Sequence, residues 1–187
     1  MSMTLNPVNE AAFQKAVQSL ETLNRAAVFH PTGTGKSCIA WKVVEAHPQT
    51  TFFWLVAGAQ RLALRQAELT RYNGGTLPGN VRFCDCEKLA AATPEQWVRL
   101  GEQKPGCIVL DCYHELSAVC WAQSVQKLLR MCPQAKVLGL GVPNGAPVCA
   151  AAQELFADCI VSHMTVAEAM AAGTMPVPSA YAALLWP

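Results

Sequence analysis

Five short apolar runs punctuate the chain, at 26–30 (AAVFH), 51–57 (TFFWLVA), 81–85 (VRFCD), 106–112 (GCIVLDC) and 135–141 (AKVLGLG). Each has the length and the β-branched or aromatic content of a strand buried on both faces, the pattern of a parallel sheet. Between them the apolar positions change to helical spacing. This happens over 36–46, over 59–72, and over 117–131, where Val119, Val125, Leu128 and Leu129 recur; 147–156 and 165–172 add further helical patterns. The stretch NPVNEAAFQKAVQSLETL predicts an N-terminal helix with Pro7 near its start. Turn residues fall between the runs: NGG at 73–75, LPGN at 77–80 and KPG at 104–106. Strands that alternate with helices predict an α/β fold with a doubly wound, mostly parallel central sheet. The 187 residues suit one domain: an N-terminal helix over 1–25, a core of sheet and helices over 26–164, and a C-terminal helix and tail over 165–187.

Composition narrows the function classes. Hydrophobic residues make up 52% and charged residues 14% of the chain, which is ample for a packed core and far from disorder. A net charge of +1 gives no general attraction for nucleic acid, so any such contact requires a local patch. The nine cysteines are an odd number and form no CxxC pair, which argues against a disulfide framework or a zinc site and for reduced, buried thiols. The N-terminus MSMTLNPVNEAAF lacks a basic region followed by an apolar run, and no apolar run is long enough to span a membrane. A cytoplasmic location is the expectation.

Chemistry concentrates in HPTGTGKS, from His30 to Ser37, which closes the first apolar run and opens a helical pattern. This is the context of a phosphate-binding loop. Gly33 and Gly35 let the backbone wrap phosphate oxygens, with Thr32 and Thr34 beside them. Lys36 would reach the β- and γ-phosphates, Ser37 would offer its hydroxyl to Mg²⁺, and the helix N-terminus adds favourable partial charge. The general pattern wants glycine at position 30, where this chain has His30. The ligand expected from this loop is ATP with Mg²⁺.

PTGTGKS has the form found in superfamily two helicases, and the rest of the chain resembles the first RecA-like domain of a DEAD/DEAH-box helicase family protein, of the kind related to type III restriction-enzyme helicase subunits. The resemblance runs in order along nearly the whole chain. VNEAAF, with Asn9, resembles the upstream element that touches adenine. FFWLVAGAQRLALRQ resembles a segment that contacts a nucleic-acid backbone, and VRFCDCEKLA a strand that often reads TYSKLA. CIVLDCYHE resembles motif II, KVLGLGVPNGAP the SATP segment, and 158–187 the stretch that closes the first domain. The resemblance implies a RecA-like three-layer sandwich that binds ATP, with Asp111 holding Mg²⁺ through water and His114 bridging the nucleotide to a second domain. It implies nucleic acid as a ligand as well.

The departures bear on activity. Where the family reads Asp-Glu-x-His, this chain reads Asp111-Cys112-Tyr113-His114. A thiol at Cys112 lacks the carboxylate that would deprotonate the attacking water, and loss of a general base costs about 10²–10⁴ in rate. Gly141-Val142-Pro143 stands where Ser-Ala-Thr would couple nucleotide state to nucleic-acid contact, and Asp85 stands where a carboxylate would repel phosphate. No second RecA-like domain follows within the 187 residues, so the arginine finger, worth about 10³–10⁵ in rate, would have to come from a separate chain. An ATP-binding, helicase-like domain with weak or absent hydrolysis and no unwinding alone is the leading expectation. A non-enzymatic interaction module on a vestigial phosphate-loop scaffold is the alternative. A small phosphate-loop kinase is the third reading, and the spread of arginines shows none of the lid cluster that such kinases use. Cys112 as a catalytic thiol lacks a legible oxyanion arrangement. Of the five tryptophans, Trp41, Trp54, Trp97, Trp121 and Trp186, three fall in apolar helix or strand patterns, and packing in or beside the core is the expectation for them.

Overall fold

The computed structural model of the chain describes residues 3–111, 119–143 and 154–176. In chain order the elements are helix α1 (Pro7–Thr22), strand β1 (Arg25–Phe29), α2 (Lys36–Ala46), β2 (Phe52–Val56), α3 (Ala59–Tyr72), β3 (Val81–Asp85), α4 (Cys86–Ala90), α5 (Pro94–Glu102), β4 (Cys107–Asp111), α6 (Val119–Met131), β5 (Lys136–Gly141), a 3₁₀ turn (Ala157–Cys159), β6 (Ile160–His163) and α7 (Val166–Ala171). The six strands form one sheet in the order β3-β2-β4-β5-β1-β6. Every pairing is parallel.

Parallel strands buried on both faces need apolar side chains at successive positions. FFWLV of β2 and CIVLD of β4 are buried at all five positions. The pleat then sorts alternate residues to opposite faces. Phe52, Trp54 and Val56 pack with Ile39, Ala40, Val43 and Val44 of α2, Ala12, Ala16 and Leu20 of α1, and Leu69 of α3. Phe53 and Leu55 pack on the other face with Leu89 of α4, Trp97 of α5, and Val125 and Leu128 of α6. The result is three layers, α1–α3 on one side of the sheet and α4–α6 on the other. Trp41, Trp54 and Trp97 all belong to these cores.

Two glycines of KVLGLG have steric reasons. A Cβ on Gly139 would lie 2.6 Å from the ring of Phe156, and one on Gly141 would run into the ring of Phe29. Glycine at these two positions lets two aromatic rings lie against the backbone of β5.

The five sequence-predicted strands all form, and the predicted helices over 36–46 and 59–72 form with those bounds. The pattern at 165–172 yields α7, with Thr165 as its N-cap in a capping box with Glu168. Four elements lie beyond the sequence reading: α4, α5, the 3₁₀ turn and the edge strand β6. Asp85, read as a carboxylate facing phosphate, is instead the N-cap of α4, buried and accepting the backbone N–H of Glu87 at 3.0 Å. No helix among the described residues is long and apolar enough to cross a membrane.

Candidate functional site

The carboxyl ends of β1, β4 and β5 bring the predicted residues together. In an open parallel sheet this edge is where ligands bind, since loops there join strands to helix N-termini. The loop after β1 runs into α2. Gly33 and Gly35 hold φ values of +86° and +87°, a region that favours glycine. Gly35 is the N-cap of α2 and supplies no side-chain cap; the Cys38 N–H donates to the Gly35 carbonyl at 2.9 Å, and the helix N-terminus opens on the loop, the end of a helix that suits an anion. A Cβ on Gly33 would meet nothing within 4 Å, so the space over the loop is open.

The loop is braced from behind. Thr34 is buried, and its hydroxyl donates to the Pro31 carbonyl at 2.8 Å. Asn9, 3% exposed, comes from α1 and donates its side-chain amide to the Thr34 carbonyl at 2.8 Å. A Cβ on Gly35 would come within 2.9 Å of that amide, which makes glycine the residue that lets α1 approach the loop. Asn9 Oδ1 is buried and has no hydrogen-bond partner among the described residues. Lys36 Nζ donates to the carbonyls of His30 and Pro31, at 2.8 Å each. The ammonium thus sits across the loop it opens.

His30 occupies the position where glycine is usual. It is fully buried, and its Nε2 lies 2.7 Å from the Ser162 hydroxyl of β6. Its backbone N–H donates to the Gly141 carbonyl of β5 at 3.2 Å. His30 therefore ties the start of the loop to both strands that flank β1. Burial, then the charge of Lys36 and of His163, pushes the His30 imidazole down to about 4 from an ordinary 6.5, so it is neutral at pH 7.

Thr32, Gly33, Gly35, Lys36 and Ser37 line a cleft of about 460 Å³, with Asp111 of β4 across from them and Val142 past the end of β5. That volume lies within the range of small-ligand sites, about 300–1,000 Å³. The far wall is α3, which contributes Arg61, Arg65, Glu68 and Tyr72. Asp111 is 3% exposed. Its Oδ2 accepts the Trp54 indole N–H at 3.1 Å and the Arg65 Nε–H at 2.6 Å. A second arm of the same guanidinium pairs with Glu68. Burial alone would lower the Arg65 pKa, and the charges of Asp111 and Glu68 outweigh it and leave it raised. Sequence reasoning missed this pair of arginines at the cleft. Its signal was the spacing of Arg61 and Arg65, four apart on the helix after the second strand, which puts both on one face.

The cradle fits a phosphate chain, with its open glycine turn, helix N-terminus and lysine. It fits Mg²⁺ less well: Asp111, the carboxylate predicted for the metal, is held by Arg65. No group of three or more potential metal-ligating His, Cys, Asp or Glu residues occurs among the described residues. Gly141 and Val142 stand at the end of β5 with no hydroxyl to offer. Cys112 and His114, the remaining predicted site residues, lie outside the described residues. The cysteines Cys84, Cys86 and Cys107 are free and buried, and burial above all pushes each thiol up to about 12, so they are inert packing groups at neutral pH.

No protein-family model matches the sequence, and no curated protein matches it. Solved structures do match the fold. A hypothetical ATP-dependent RNA helicase from Sulfolobus tokodaii superposes with a TM-score of 0.60 at 9% identity, over 82% of this chain and 52% of that one. The ATP-dependent Type ISP restriction-modification enzyme LlaBIII, bound to DNA, gives 0.63 at 13% identity, over 91% of this chain and 16% of that one. Domain III of the Thermotoga maritima replication initiation protein DnaA gives 0.50 at 10% identity, over 87% of this chain and 65% of that one. The chain thus spans about half of the helicase and a sixth of the restriction enzyme. The fold is an α/β, RecA-like arrangement, with an all-parallel six-stranded sheet flanked by helices.

Proposed function

We propose that the chain is a single RecA-like nucleotide-binding domain that takes ATP over the loop from Thr32 to Ser37. The observation that carries this reading is the convergence at one cleft of an open glycine turn, a helix N-terminus, Lys36 and Ser37, with Asp111 across β5. In that role the first-turn N–H groups of α2 and the Lys36 ammonium hold phosphate oxygens, and Lys36 exchanges its two loop carbonyls for them. Asn9 and Thr34 keep the loop in shape from behind. Ser37 and Asp111 are the residues that the sequence resemblance gives to Mg²⁺, but Asp111 is already held by Arg65, so the site fits the metal less well than it fits phosphate. Hydrolysis by this chain alone is expected to be weak or absent, because Cys112 offers no carboxylate base and Gly141-Val142 offer no hydroxyl. The DNA-bound restriction-enzyme neighbour supports a nucleic acid as a proposed partner, and the sequence resemblance suggests a second one, a separate chain that carries another RecA-like domain.

Thermal unfolding with and without ATP tests the reading. A ligand at about 100 times its Kd stabilises the folded state by about 2.7 kcal/mol. For a domain of this size that is a rise of roughly 5–10 °C in Tm. No shift at millimolar ATP would favour the interaction module on a vestigial loop, a reading that draws on Lys36 and Asp111 being engaged by the chain's own groups.

A further inference from the structure

The Arg65–Asp111 pair assigns the site a ligand form. Asp111 sits at the carboxyl end of β4 and is nearly inaccessible to solvent. One of its oxygens already holds two donors, the Trp54 indole from the adjacent strand β2 and the Arg65 guanidinium from α3. Arg65 in turn is fixed by Glu68 one turn along the same helix. A divalent cation at Asp111 must compete with this arrangement. Mg²⁺ requires near-octahedral oxygen ligation and keeps several of its waters, so it needs space as well as a carboxylate. Displacing Arg65 would leave a largely buried guanidinium short of one counter-charge, and an unpaired buried charge is strongly disfavoured. Meanwhile the cleft already holds three cationic side chains, Lys36, Arg61 and Arg65, against the two carboxylates of Glu68 and Asp111. A planar guanidinium is also well suited to phosphate oxygens.

We propose that the cleft binds its nucleotide as the metal-free polyphosphate, with Arg65 occupying Asp111 where a divalent cation would sit, and with Lys36 and Arg61 giving the cleft its net positive charge. The inference rests on the nucleotide reading above. Arg65 is thereby a specificity-determining residue: it selects free ATP over Mg-ATP as the bound form, and Asp111 positions it.

Isothermal titration of ATP into the full chain, once in excess EDTA and once in saturating Mg²⁺, tests the proposal. The wild-type chain is expected to bind ATP at least about threefold more tightly in EDTA than in saturating Mg²⁺. Arg65→Gln is expected to weaken binding in EDTA by at least about tenfold, and Mg²⁺ is expected to recover part of that loss because Asp111 is released. Circular dichroism establishes that the variant is folded, and the wild-type comparison stands without it. Wild-type binding that appears only with Mg²⁺, or that is equally tight in both conditions, overturns the proposal and leaves the nucleotide site intact. Equal affinities for wild-type and folded Arg65→Gln in EDTA overturn the role of Arg65. No binding in either condition overturns the nucleotide reading and this inference together.

Discussion

His30 makes the stability of this fold depend on pH in a calculable way. The side chain is buried at the junction of β1, β5 and β6, and its pKa falls from 6.5 to about 4. A histidine with a depressed folded-state pKa favours the folded state while it is neutral in both states, above pH 6.5. That contribution is lost as pH falls from about 6.5 toward 4, because the unfolded chain takes up a proton that the folded chain refuses. Between pH 7 and pH 5 the loss amounts to up to roughly 2 kcal/mol. Urea unfolding of the wild-type chain and of His30→Gln at pH 7, 6 and 5 would measure it. Carboxylates also titrate toward the acid end, so the decisive quantity is the difference between the two proteins. The variant is expected to be less stable at pH 7, since it disturbs the Ser162 bond and the packing of the loop, and to converge on the wild type as pH falls. Parallel profiles, with a constant gap between the two proteins from pH 7 to pH 5, would refute the reasoning.

Other perturbations have definite expected outcomes. Gly141→Ser, which returns a hydroxyl to the end of β5, drives a Cβ into the Phe29 ring and is expected to cost about 1–3 kcal/mol; a wild-type urea midpoint would contradict the packing account. Asn9→Ala removes the donor to the buried Thr34 carbonyl and should lower stability by about 1–3 kcal/mol, read by the same unfolding assay, with faster amide exchange in the loop. Cys112→Glu places a carboxylate next to Asp111, and any basal ATPase rate should rise by up to about 10²-fold; no rise with ATP still bound would show that the carboxylate at position 112 does not limit hydrolysis.

The strands and the phosphate loop were legible in the sequence because their signals are local. Apolar runs such as FFWLV mark a strand buried on both faces wherever they sit, and PTGTGKS carries its own strand-to-helix context. The short edge strand β6 was not, because IVSH is four residues long and only partly buried, so it presents no run. Helix α5 did carry a local signal: Thr93, Pro94 and Gln96 form a capping box with proline in the first turn, a start signature as plain as the one at Thr165. The ion pair between Arg65 and Asp111 had no local signal at all. The two residues are 46 apart and meet because β2 and β4 are neighbours, a consequence of strand order. His30 is similar. Its role is fixed by Ser162, which β6 delivers from 132 residues away.

The central claim is that the loop from Thr32 to Ser37 binds ATP through Lys36. Its most direct test is an isothermal titration of ATP into the wild-type chain and into Lys36→Ala, with circular dichroism to show that both are folded. The account predicts saturable binding to the wild type and an affinity at least about tenfold weaker for the variant, since one charged contact to phosphate is removed. Undiminished affinity in Lys36→Ala, or no binding by the wild type at millimolar ATP, would contradict it.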